Sequence, residues 1–196
     1  MSIIRKVVFF VYSLMNWLLL KINKVEYQSL TIQGIPLIHN KGTIRLTSGK
    51  INSSKFKNII GGDTRSSIVV KKNALLQIGS NFKMSNSAIY CAEKIIIGDN
   101  VMIGGSCRIW DTDFHPLNSA LRASNPNEEY VTRPVHIGSD VFIGGFSIIL
   151  KGVMIGDGAI IGAGSVVSKN IPSGEIWAGN PATFIKKADH GHTEAI

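Results

Sequence analysis

Cysteine is nearly missing from these 196 residues: there are two, Cys91 and Cys107, and neither sits in a metal-type spacing. Two thiols cannot build the multi-bridge framework of a small secreted domain, and both read as small core residues in a reducing compartment. Charge is thin as well, at 17% Asp, Glu, Lys and Arg. Acidic residues are scarcest at the N-terminal end, where residues 1–72 hold 12 Lys/Arg against 2 Asp/Glu, while residues 73–196 hold 9 against 11. The net charge of +8 therefore belongs to the N-terminal third. Such a region suits nucleic acid, an anionic membrane surface or plain solvation. No helix-turn-helix, RNA-binding or zinc-finger pattern accompanies it, so nucleic acid is not expected as a partner.

A membrane-spanning run is also missing. The longest apolar stretch, Val7 to Leu20, is broken by Ser13 and Asn16 and bracketed by Arg5, Lys6, Lys21 and Lys24. It falls short of the roughly 20 apolar residues that cross a bilayer. No small-residue cleavage site follows, which speaks against a secretory signal. Residues 1–24 thus read as an apolar N-terminal helix with two placements open. It either docks on the protein body or a neighbouring subunit, or lies in the membrane interface with Trp17 and the flanking cations at headgroup level. The expected location is cytoplasmic, with peripheral contact at the inner face of the plasma membrane in the second case.

Glycine, by contrast, is plentiful at 20 residues, and it recurs with a period. From Ile137 to Pro172 the chain reads IGSDVF-IGGFSI-ILKGVM-IGDGAI-IGAGSV-VSKNIP. Each six begins with an aliphatic residue: Ile137, Ile143, Ile149, Ile155, Ile161 and Val167. The same frame runs upstream as IGDNVM-IGGSCR-IW, led by Ile97, Ile103 and Ile109. A six-residue period cannot keep one helical face apolar, and a hairpin sheet would show period two between longer turns. It predicts one short strand and one sharp turn per repeat, stacked into an all-β solenoid. The leading aliphatic should point inward, and the small residue after it should free the turn backbone for conformations that a side chain hinders. From Tyr27 to Leu76 the pattern is weaker and reads as early, irregular coils. The stretch MSNSAIYCAEKI breaks the frame and calls for an extra residue at a corner.

The frame breaks outright after Trp110. The segment Asp111–Pro134, DTDFHPLNSALRASNPNEEYVTRP, leaves the solenoid as a long excursion, and long loops on rigid scaffolds usually carry function. The body of the solenoid spans 25–188, and the tail 189–196 reads as disordered.

The repeats, the DTDFHP opening of the excursion and the later AGNPA turn resemble the hexapeptide-repeat acyltransferases, most specifically the maltose and galactoside O-acetyltransferase group. That resemblance implies a left-handed parallel β-helix with three repeats per triangular coil, acetyl-CoA as donor, no metal, and a homotrimer with active sites between subunits. It implies that His115 is the catalytic base, a role suited to an imidazole near pH 7. Asp111 or Asp113 would hold its tautomer. Asn86, by its spacing from IGDN, matches an asparagine that contacts acceptor or intermediate, where an amide donor would stabilise an oxyanion. A turn role for Asn86 is equally open. Gly145, Ala163, Ser168, Lys169, Lys186 and Lys187 match the donor site, small residues admitting the pantetheine arm and lysines meeting phosphates. Phe142 and Thr183 depart from the family, standing where Trp and a basic residue are common.

The expected function is acetyl transfer to a sugar hydroxyl of a surface glycan or its precursor. An amino-sugar or serine acceptor keeps the same fold. A zinc hydratase would need three imidazoles, and the repeat region offers only His115 and His136. A non-catalytic membrane-associated scaffold would leave the DTDFHP loop unexplained.

Overall fold

A computed structural model describes residues 3–54, 65–124 and 130–188. The tail expected to be disordered, 189–196, lies outside the described residues. Helix α1 spans Ile3–Ile22. Short parallel strands follow, and they wind round three faces. The first face stacks Leu75–Ile78, Lys94–Ile97, Val135–Ile137 and Met154–Ile155 on the opening half of a long strand, Thr43–Ser53. The second continues from that strand's other half through Phe82–Ser85, Met102–Gly105, Phe142–Ile143, Ile160–Ile161 and Glu175–Ala178. The third stacks Leu37–Asn40, Ser67–Val70, Ala88–Cys91, Arg108–Trp110, Ile148–Ile149 and Val166–Val167. The result is a left-handed parallel β-helix of triangular section.

Register confirms the period. Ile137 pairs with Ile155, Ile143 with Ile161 and Ile149 with Val167, each eighteen residues apart, or three repeats per coil. Upstream the coils are longer: Met84 pairs with Ile103 and Ile89 with Ile109, nineteen and twenty residues on. The frame break in MSNSAIYCAEKI is this extra corner chain. All nine leading aliphatics from Ile97 to Val167 are buried along the axis, as are the fifth-place residues from Val141 to Ile171. Each buried Ile contributes roughly 1.5–3 kcal/mol.

The second-place glycines serve a different purpose from the one expected. None of Gly98, Gly104, Gly138, Gly144, Gly156 and Gly162 has a positive φ. A Cβ on Gly98 would instead lie 2.7 Å from the Gly138 carbonyl carbon, and one on Gly104 would lie 2.6 Å from the Gly145 nitrogen. Close stacking of coils excludes the side chain. The left-handed turn falls two residues later, at Asn100, Ser106, Asp140, Phe146, Gly152, Gly158 and Gly164. Asn and Asp tolerate that region, but Phe146 at φ +64° is strained.

One edge is sealed from within. Along the edge between the second and third faces, Ser87, Cys107, Ser147 and Ser165 form a buried column. Ser87 Oγ donates to the Gly104 carbonyl at 2.7 Å, Ser147 Oγ to Gly144 at 2.8 Å and Ser165 Oγ to Gly162 at 2.6 Å. Cys107 takes a serine's place, its Sγ 3.2 Å from the Gly144 carbonyl. These contacts satisfy the corner carbonyls along the edge.

Candidate active site

The excursion leaves the edge between the third and first faces. Ile109 pairs with Ile149 forty residues on, where a regular coil takes eighteen, so twenty-two residues are extra. Its root is a short antiparallel ladder: Thr112 bridges Thr132, Asp113 N–H donates to the Val131 carbonyl and Arg133 N–H to that of Asp111. Asp111 is fully buried, and its carboxylate accepts three backbone N–H groups, from Ala92 at 2.6 Å, Glu93 at 2.8 Å and Lys94 at 2.7 Å. It therefore seals the corner of the preceding coil and pins the loop to it. Cys91 stacks beneath, 3.7 Å away, and burial together with the Asp111 charge pushes its thiol far above the ordinary range. Burial also raises Cys107. Both are free cysteines, protonated and inert near neutral pH.

Beyond the root the chain turns sharply. Phe114 sits at φ +63°, rare for an aromatic residue, and is clamped by Tyr90 at 4.8 Å and Trp110 at 5.5 Å between ring centroids. Its N–H donates to Thr112 Oγ1. Pro116 is buried on the other side. Between these two anchors His115 is held at the surface, exposed. Asp113 Oδ1 forms an ion pair with Lys151 Nζ at 2.8 Å, three-quarters or more buried on both sides. Its other oxygen is buried and accepts no hydrogen bond among the described residues. Past Leu117, Asn118 caps the short helix α2, Ser119–Ser124, and Arg122 donates to the Pro116 and Leu117 carbonyls.

The remaining sequence-derived candidates divide among three places. Ser168 and Lys169 share the edge that carries the excursion, where the register sets Lys169 beside Lys151. Asn86, Gly145 and Ala163 lie on the opposite edge of the third face. There Asn86 is buried in a left-handed turn at φ +46°, so the turn-forming role weighed for it is occupied. Gly105, Gly145, Ala163 and Gly179 fall in register along that edge, a track with almost no side chains, beside which the exposed Phe146 projects. Lys186 and Lys187 are exposed on the last strand, Thr183–Lys187, which pairs antiparallel with Glu175–Ala178. Phe142 faces outward between Met102 and Ile160, and Thr183 opens the last strand.

Sequence reading missed three features: Lys151, the aromatic clamp on Phe114 and the strained Phe146. A lysine four places after Ser147 carries no signal, and strain has none. The clamp had one, since Tyr90 and Trp110 recur at the same coil position. Among the described residues no group of three His, Cys, Asp or Glu side chains is placed to hold a metal.

The sequence matches family models for the bacterial transferase hexapeptide (six repeats) at residues 134–169 and for the hexapeptide repeat of succinyl-transferase at residues 94–109. A Saccharomyces cerevisiae protein classed as an acetyltransferase is 34% identical over 156 residues, 76% of this chain and 78% of its own. Galactoside O-acetyltransferase of Escherichia coli (strain K12) is 39% identical over 113 residues, 57% of this chain and 54% of that protein, so the match spans about half its length. Among solved structures, a maltose O-acetyltransferase from Clostridium difficile 630 superposes with a TM-score of 0.56 at 28% identity, covering 84% of this chain and 69% of that one. A galactoside acetyltransferase in complex with coenzyme A also gives 0.56, at 26% identity over 86% of this chain and 70% of its own.

Proposed function

Since the chain belongs to the hexapeptide-repeat acyltransferases, we propose that it moves an acetyl group from acetyl-CoA to a sugar hydroxyl, on a surface glycan or its precursor. The observation that carries the reading is the setting of His115, fixed at the surface between a clamped, strained Phe114 and a buried Pro116. Strain of this kind persists where the surroundings over-determine it and is common at active sites. The His115 imidazole takes the acceptor hydroxyl proton as the oxygen attacks the thioester carbonyl. The carbon–sulfur bond then breaks, and the proton passes to the departing thiolate. Asp113 holds the imidazole tautomer: its second oxygen is buried and open to an N–H, while Lys151 pairs with the first and fixes the carboxylate's orientation. Asp111, spent on three amides, does not serve.

The donor arm lies along the bare track of Gly145 and Ala163, and Ser168, Lys169, Lys186 and Lys187 receive its polar end. Two edges of one prism carry the two halves of this site, so the enzyme works as a homotrimer in which one subunit's excursion meets the next subunit's Asn86 edge.

The test is thiol release from acetyl-CoA over a panel of glycans, with mass spectrometry of the product. Acetylated sugar is expected. Thiol release with amino sugars or serine alone, giving amides or acetylserine, would replace the acceptor class. Sharing of sites is tested by co-expressing His115→Ala and Asn86→Ala chains, once each is shown folded and inactive by itself. Random mixing leaves about one site in four with both groups intact. Activity near that fraction is expected, and none at all would place the whole site in one subunit.

A further inference from the structure

We propose that helix α1 lays the protein on an anionic lipid surface, with its axis in the plane of the interface. The helix is 20 residues long, yet the body covers little of it. Val7, Val8, Phe10, Val11, Tyr12, Leu14, Met15, Trp17, Leu18 and Ile22 are each more than 40% exposed, with Phe10 at 67% and Ile22 at 77%. Of its described side chains only Asn16 and Leu20 are buried. The attachment is confined to the C-terminal half, where Leu20 enters the hydrophobic core with Leu19 packed against it. Asn16 Nδ2 donates to the Gly34 carbonyl at 2.9 Å, and Asn23, just past the helix, accepts two hydrogen bonds from Asn40. A contiguous apolar surface of this extent is not left to water.

Two further observations identify the cover. Tyr27 and Leu37, on the strands that follow the helix in the chain, are exposed as well. The charge around it is positive: Arg5, Lys6, Lys21 and Lys24 flank the run, and residues 1–72 carry 12 cations against 2 acids. Lys21 Nζ stands 4.6 Å over the Trp17 ring, pairing an interfacial aromatic with a cation. Packing α1 against copies of itself would crowd these cations together, whereas anionic headgroups neutralise them. No described helix is long and apolar enough to cross a membrane, so α1 lies along the surface. The prism would then rest by its N-terminal end, with the excursion and the bare edge rising from the bilayer.

The test uses the full chain and sedimentation with two vesicle compositions, phosphatidylcholine alone and phosphatidylcholine with about 30% phosphatidylserine. Binding should be at least about tenfold stronger to the anionic vesicles and fall steeply as salt rises. The triple change Phe10→Ser, Leu14→Ser, Trp17→Ser alters only exposed side chains. It should lower vesicle binding at least about tenfold while the thermal midpoint and thiol release from acetyl-CoA stay put. Equal binding to both vesicle types, or none to either, overturns the proposal. A triple variant that still binds vesicles but loses oligomer mass in lipid-free solution overturns it too, and assigns α1 to contact between copies.

Discussion

A His115→Ala protein should transfer acetyl groups at least about a hundredfold more slowly than the parent while binding acetyl-CoA with nearly the same affinity. The imidazole is exposed and its neighbours carry the packing: Phe114 is held by Tyr90 and Trp110, and Pro116 is buried. Removing the ring therefore leaves these two anchors in place and takes away the proposed base. Of the proposed donor residues only Ser168 and Lys169 share the excursion's edge, while Gly145, Ala163, Lys186 and Lys187 stand on other edges and strands, so the loss should fall on kcat and spare the donor KM. Steady-state thiol release together with calorimetric titration of CoA separates the two quantities. Turnover within a few-fold of the parent, in a protein with an unchanged thermal midpoint, would remove His115 from the chemistry.

Asp111→Ala should do the opposite and damage the fold before the chemistry. Three backbone N–H groups lose their acceptor at one corner, each left partly buried at a cost of about 1–3 kcal/mol that water entering from the exposed side offsets in part. A net loss of about 3 kcal/mol is expected. For a chain of this size that lowers the thermal midpoint by roughly 6–12 °C. Thermal unfolding followed by circular dichroism measures it. A shift of about 1 °C or less would mean that solvent replaces the carboxylate entirely, and that the loop root rests on its ladder alone. The contrast between Asp111 and Asp113, two residues apart, is the sharpest check on which carboxylate serves which purpose.

The two aspartates also mark where sequence reading stops. The repeat was legible because it is one-dimensional: inward aliphatics every sixth residue specify coil, core and register, and the pairing of Ile137 with Ile155 follows directly. The excursion was legible as a break in the same frame. Choosing between Asp111 and Asp113 was not, because both flank one turn and the inward placement of the first shows only once Trp110 is paired with Tyr90 and the Ala92–Lys94 amides stand beside it. Lys151 reaches Asp113 from the next coil, across the whole inserted segment, and no local pattern records such a contact. The second-place glycines were assigned to the wrong cause because the sequence shows a small residue without showing what it avoids. The avoided atom belongs to a neighbouring coil.

The inserted segment has a bearing on how such a protein changes over generations. Ile109 and Ile149 stay paired as if nothing intervened, so the register of the coils is indifferent to what is written past the anchored turn, between Leu117 and Tyr130. That interval can lengthen, shorten or be exchanged without re-phasing a single coil. The bare edge that would receive the donor is encoded elsewhere, in Gly105, Gly145 and Ala163, and drifts under separate constraints. Under the proposed function, choice of acceptor and choice of donor are in this sense separate chapters of one gene, and grafting the interval from one relative into another should carry over the first without disturbing the second.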